Sequence, residues 1–257
     1  MTDAPLLYEK RNRIAYVTLN RPLAMNALGI AVQKGLTEAM RDYQRDPDLL
    51  VAIITGAGGR AFSAGADLKE VAEFTSRGEP YPSVFPHFFE SGVYKPIIAA
   101  IDGYCVGGGL EVALQCDIRV ATGASKFGLP EPRSSLLADY GLHHLSRVIP
   151  LGEALRMQLT GAPIDAQRAY QIGLIQAVAA DRAAMMAEAE RLAEEIKLCA
   201  PLALQAIKQV VLKGRYLPPE ESHDIMMPLR DALVKTEDYK EGPRAFTEKR
   251  KPNWRGR

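Results

Sequence analysis

The stretch KPIIAAIDGYCVGGGLEVALQCDIRVA, residues 95 to 121, reads as strand, glycine turn, helix and strand in immediate succession. PIIAAI (96–101) and DIRVA (117–121) are short apolar runs bounded by turn residues, the pattern of buried strands. Between them three glycines open a helical segment that is apolar except for Glu111. An isolated buried charge is costly, so a carboxylate there calls for a compensating or a chemical reason.

Outward from that stretch, IAYVTL (14–19) and VAIIT (51–55) repeat the strand signature. Helical periodicity fills the intervals, as in 29–45, where Ala31, Val32, Leu36, Ala39, Met40 and Tyr43 fall on one side. Strand and helix alternate, which predicts an α/β fold. After about residue 135 the texture is helical: LGEALRMQLTG, DAQRAYQIGL and an amphipathic run over 181–198. Pro201, Pro218, Pro219 and Pro228 then mark two further helices, because proline fits a helix's first turn better than its interior. A core domain over 1–198 and a helical C-terminal region over 199–257 follow as the expected organisation.

Lys plus Arg number 32 against 31 Asp plus Glu, so the net charge of +1 gives no general attraction to nucleic acid or an anionic membrane. Cys105, Cys116 and Cys199 are odd in number and lack CxxC spacing, which disfavours a disulfide framework or a zinc site and suits reduced thiols in a cytoplasmic compartment. MTDAPLLYEKRNR does not resemble a secretory signal, and no run of apolar residues is long enough to span a membrane.

Two glycine-bearing turns each follow a strand and precede a helix: AFSAGADLKE (61–70) and GYCVGGGLEVAL (103–114). A helix N-terminus leaves N–H groups unpaired and carries partial positive charge, so two such turns brought together suit a developing oxyanion. GAGGRA (56–61) matches a dinucleotide fingerprint, but the expected helix does not begin at its glycines, and the nicotinamide reading fails on that ground. Asp67 stands where an N-cap is expected. Glu131, fixed between Pro130 and Pro132 in FGLPEP, offers a second carboxylate for acid–base work.

NRPLAMNAL (20–28), AFSAGADLKE, residues 95–121, FGLPEP and EGPRAFTEKRKPNWRGR (241–257) occur in an order that resembles the crotonase superfamily, the enoyl-CoA hydratase/isomerase family, over nearly the whole chain. The resemblance implies a crotonase-like spiral of ββα units with a helical C-terminal trimerisation region. It also implies an acyl-CoA thioester substrate, coenzyme A being part of that substrate, with no prosthetic group and no metal. Ala66 and Gly108 match the oxyanion-hole donors. Leu23, Ala24, Ala64, Ala66, Asp67, Leu68 and Gly108 match positions along the coenzyme, and Phe246 and Lys249 match a C-terminal aromatic and lysine that reach it. Lys249 reads equally well as a solvated charge.

In the hydratases this chain resembles, the Glu111 position activates a water toward C3 and the Glu131 position supplies the C2 proton. The expected activity is therefore a lyase that adds water to a 2-enoyl-CoA. Asp139 opens an alternative, since isomerases of the family place an acid there, although Asp139 equally fits a cap for a helix over 140–148. A scaffold or RNA-binding role without turnover is the rival from another class. Tyr140, His143 and His144 lack metal-ligand spacing. Arg133 reads either as a surface charge or as a carboxylate clamp. The irregular segment 75–89 is a surface loop or a cover over the substrate. A homo-oligomer, trimer or dimer of trimers, completes the expectation.

Overall fold

The computed structural model describes residues 4–82 and 85–257. Ser83 and Val84 of the 75–89 loop, and the first three residues of the N-terminal stretch, lie outside the described residues. Strands β1 (Leu6–Arg11) and β2 (Ile14–Leu19) form an antiparallel hairpin, followed by α1 (Ile30–Arg45). Three repeats come next. The first is β3 (Val51–Gly56), β4 (Ala61–Ser63) and α2 (Leu68–Ser76); the second is β5 (Ile97–Ile101), β6 (Tyr104–Val106) and α3 (Gly108–Leu114). The third is β7 (Ile118–Thr122) and β8 (Lys126–Gly128), leading through a 3₁₀ turn over Glu131–Ser134 to α4 (Tyr140–Val148). The chain continues through α5 (Leu151–Thr160), β9 (Ile164–Asp165), α6 (Ala166–Gln171) and β10 (Ala177–Ala179). Four helices close it: α7 (Arg182–Lys197), α8 (Pro201–Gly214), α9 (Pro219–Leu233) and α10 (Glu237–Thr247).

The first strand of each repeat joins a six-stranded sheet of order β1-β2-β3-β5-β7-β10, and the second joins a four-stranded sheet of order β4-β6-β8-β9. This is the expected ββα spiral. Its consequence for the site is direct. Because β4 and β6 pair in parallel, with Ala61 opposite Tyr104, the two strand-to-helix turns that follow them emerge side by side.

The central parallel strands are covered on both faces, which is why they read as unbroken apolar runs. Ile14, Val51, Ile53, Ile98 and Val120 face Met185, Ala189 and Ala193 of α7, while Ala15, Val17, Ile54, Ile97 and Ala99 face the larger core with α1. Leu36 of α1 is fully buried there, so Leu36→Ala costs about 2–5 kcal/mol through lost transfer energy and the cavity left behind.

Two expectations need correction. Ala31 is exposed, and the buried face of α1 holds Gln33 in its place, with Gln33 Nε2 donating to the Leu28 carbonyl at 2.7 Å. Beyond Pro201 there are three helices, not two, and Pro228 lies inside α9 instead of starting a helix. A proline removes one backbone donor; α9 buries none of its residues, so water reaches the carbonyl left without a partner. The residues after α10 fold back along it: Asp238 accepts the N–H groups of Arg255 and Gly256, and Glu241 accepts that of Asn253.

Candidate active site

The turn between β4 and α2 is sutured to the segment 20–28. Asn26 Nδ2 donates to the carbonyls of Ala57 and Ala61, the Ala64 N–H donates to the Met25 carbonyl, and the Leu28 N–H donates to the Gly65 carbonyl. Arg21 adds an ion pair to Asp67 at 2.7 Å. Burial raises the Asp67 pKa, but Arg21 and the N–H groups of Lys69 and Glu70 outweigh it and hold the carboxyl below its usual range. Asp67 caps α2, accepting the Lys69 N–H, as its position suggested.

Gly65 has a left-handed φ of +89°, and a Cβ there would lie 3.0 Å from the Gly108 nitrogen. Gly107, with φ of +57°, would place a Cβ 3.6 Å from the Gly65 Cα. Only glycine lets these two turns pack backbone against backbone. Neither the Ala66 N–H nor the Gly108 N–H has an acceptor among the described residues. Both residues line one cavity of about 430 Å³.

The two glutamates meet at the same turn. A Cβ on Gly107 would lie 3.2 Å from Glu131 Oε1, and one on Gly108 would lie 3.7 Å from Glu111 Oε2. Glu111, in the first turn of α3, is 5% exposed, and its Oε1 accepts the Gly141 N–H at 2.8 Å. Burial pushes its pKa up to about 7; the Gly141 N–H opposes the rise and the neighbouring Glu131 adds to it. Glu131 Oε2 is shut off from solvent with no hydrogen-bond partner among the described residues, and burial raises that carboxyl too. Two proton-carrying groups thus flank two unpaired backbone donors. Such an arrangement can stabilise an enolate oxygen and move a proton beside it.

The cavity brings together Ala64, Ala66, Leu68, Gly108, Glu111, Glu131 and Asp139 of the sequence-predicted residues. It does not include Leu23, Ala24, Asp67, Phe246 or Lys249. Leu23 and Phe246 are 98% and 86% exposed, and Lys249 is exposed as well. Asp139 stands at the N-cap of α4 but makes no capping bond; its Oδ2 lies 3.6 Å from His87 Nε2. The capping reading of Asp139 is therefore corrected, since its carboxylate turns to the 75–89 loop. Tyr140 stacks on His144 at 3.6 Å between ring centroids. Among the described residues, no cluster of three or more His, Cys, Asp or Glu side chains has the arrangement to hold a metal ion.

Several contributors escape sequence reasoning. Gly141 orients Glu111 through its backbone, which carries no side-chain signal. Arg119 is buried beneath α3, donating from Nη1 to the carbonyls of Ala113 and Cys116 at the helix's C-terminal end and from Nε to that of Leu174. Asn26 stood inside a quoted motif, and an asparagine in a turn segment was the available hint; its φ is left-handed.

The sequence profile of the family described as enoyl-CoA hydratase/isomerase matches residues 9–257. The chain is 43% identical to an (E)-benzylidenesuccinyl-CoA hydratase of Thauera aromatica, covering 98% of this chain and 99% of that protein. It is 34% identical to a short-chain-enoyl-CoA hydratase of Clostridium acetobutylicum, covering 96% and 95% of the two chains. The crystal structure of an enoyl-CoA hydratase from Mycobacterium marinum superposes with a TM-score of 0.91 at 38% identity, over 99% of this chain and 100% of that one.

Proposed function

Because the chain belongs to the enoyl-CoA hydratase/isomerase family, we propose that it hydrates a 2-enoyl-CoA to a 3-hydroxyacyl-CoA, with Ala66, Gly108, Glu111 and Glu131 as its working groups. The observation that carries this reading is the pairing of two acceptor-free N–H groups with two buried, partner-poor carboxyls on consecutive glycines.

The thioester oxygen binds between the N–H groups of Ala66 and Gly108, which polarise the conjugated double bond. Ionised Glu111 takes a proton from water as its oxygen bonds to C3. The electron pair of the double bond moves onto the thioester oxygen as an enolate, and the two N–H groups stabilise the charge. Protonated Glu131 then delivers its proton to C2, and the enolate collapses to the thioester. Loss of one such donor typically costs ~10²–10³ in rate. Leu28, Leu68, Phe85, Leu136 and Leu137 give the cavity apolar walls for the acyl group.

Crotonyl-CoA turned over in heavy-oxygen water tests the reading. Label at C3 of the product supports it; turnover with a shifted double bond and no added mass favours Asp139-assisted isomerisation instead. Self-association belongs to the same proposal. Ile207 and Val211 on α8, with Tyr216 and Leu217 beyond it, are exposed, and a second copy of the chain suits these apolar side chains. A monomeric mass by light scattering would remove that part.

A further inference from the structure

Arg133 is the one cation among the described residues that line the cavity, which three acidic residues, Glu111, Glu131 and Asp139, also line. It makes no ion pair with any of them, although Glu131 is two residues away. Its Nε donates to the Thr160 carbonyl at 3.1 Å, at the C-terminal end of α5. Its methylene shaft lies across Gly161, where a Cβ would meet Arg133 Cγ at 3.0 Å. A carbonyl at the negative end of a helix and a bare glycine hold the side chain in place. Both Nη groups are without a partner among the described residues.

An arginine held this way presents a planar fork, the geometry that takes a carboxylate through two parallel bonds. It does not serve Glu131: a guanidinium paired with that carboxyl would favour its ionised form, whereas burial leaves the Glu131 pKa raised, as a proton donor requires. An anionic acyl group entering this cavity meets the ionised base Glu111 and the carboxyl of Asp139, so it needs a cation on the wall, while a neutral acyl group has no use for one.

We propose that Arg133 is a specificity-determining residue that binds a carboxylate carried by the acyl group, making this chain a hydratase of enoyl-CoA thioesters with a second, free carboxyl. The proposal rests on the cavity's being the acyl-CoA site. The alternative anionic source is a phosphate of the coenzyme, and the test separates the two.

Binding of the saturated thioesters succinyl-CoA and glutaryl-CoA, and of their neutral counterparts butyryl-CoA and valeryl-CoA, is measured by calorimetry at neutral pH on the full chain and on Arg133→Gln and Arg133→Lys. The acidic-to-neutral affinity ratio in at least one pair is expected to fall roughly tenfold or more in Arg133→Gln. Arg133→Lys should fall in between, because lysine keeps the charge and loses the fork. Equal losses for acidic and neutral ligands would assign the guanidinium to a coenzyme phosphate and overturn the proposal. An unchanged ratio in both pairs would overturn it as well. None of these saturated thioesters has a double bond to hydrate, so the ratio is read independently of hydration, whose failure would show only in the heavy-oxygen experiment.

Discussion

Two glutamates in this molecule are nearly equally hidden, Glu111 at 5% exposure and Glu241 at 7%, and their surroundings are opposite. Glu241, in α10, receives Arg250 at 2.6 Å, Arg244 at 2.7 Å and the Asn253 N–H at 2.8 Å. The Arg250 hydrogen bond leads in holding its carboxyl well below the usual range. Glu111 has one strong backbone donor, no cation paired with it among the described residues, and another acid as neighbour. The first arrangement fixes a charge so that the C-terminal tail stays on its helix. The second withholds compensation, so the proton comes and goes near neutral pH. Satisfied and unsatisfied burial distinguish a structural carboxylate from a chemical one.

The largest contrast is expected in turnover. Glu111→Gln and Glu131→Gln should each lower kcat for hydration by ~10²–10⁴, the usual worth of a positioned acid or base, while acyl-CoA binding persists. Glu241→Gln should leave kcat unchanged. Steady-state kinetics on the three variants decide the matter, and equal losses in all three would erase the distinction.

A smaller effect should come from the junction of the turns. Gly65→Ala places a methyl against the Gly108 nitrogen at a left-handed φ, so the two donors must separate. A fall in kcat of up to ~10²–10³ is expected, with the circular dichroism of the folded protein retained. Full activity in this variant would show that the turns need not touch.

pH separates the two glutamates further. A carboxyl raised from 4.5 to about 7 contributes stability fully present below the lower value and lost as pH rises through the higher. Above pH 7 the ionised Glu111 thus costs at most about 3 kcal/mol. Glu111→Gln keeps an acceptor for Gly141 and is neutral throughout, so urea denaturation should show it gaining on the parent as pH climbs between those values. A difference that does not change with pH would place the Glu111 pKa in the ordinary range. The same ionisation sets the acid limb of the rate profile near pH 7. Glu241→Gln should do the reverse to stability, lowering Tm at neutral pH, because arginines that bind a carboxylate are left without one.

Much of this was legible in the sequence. The β-branched runs located β2, β3, β5 and β7, because strands buried on both faces must be apolar throughout, and the glycines located both turns. The strands of the smaller sheet, β4, β6, β8 and β9, were not legible. At two or three residues each they show no periodicity, and only pairing with neighbours far along the chain defines them. Glu111 and Glu131 could be nominated from their flanking residues. Their convergence could not, since it depends on β6 and β8 pairing in register, with Val106 opposite Gly128. Asp139 stayed open between an acid of the site and a helix cap for a related reason: an acid at a helix start usually caps, and the nearby His87 comes from a distant loop. Leu23, Ala24, Phe246 and Lys249 were carried by resemblance alone and stand outside the cavity of the single chain.

A crystal structure with butyryl-CoA bound puts the whole proposal at risk. The thioester oxygen should lie within about 3 Å of both the Ala66 and Gly108 nitrogens, with the carboxyls of Glu111 and Glu131 over the second and third acyl carbons. An oxygen bound elsewhere, or the two carboxyls on the far side from the acyl chain, would contradict it.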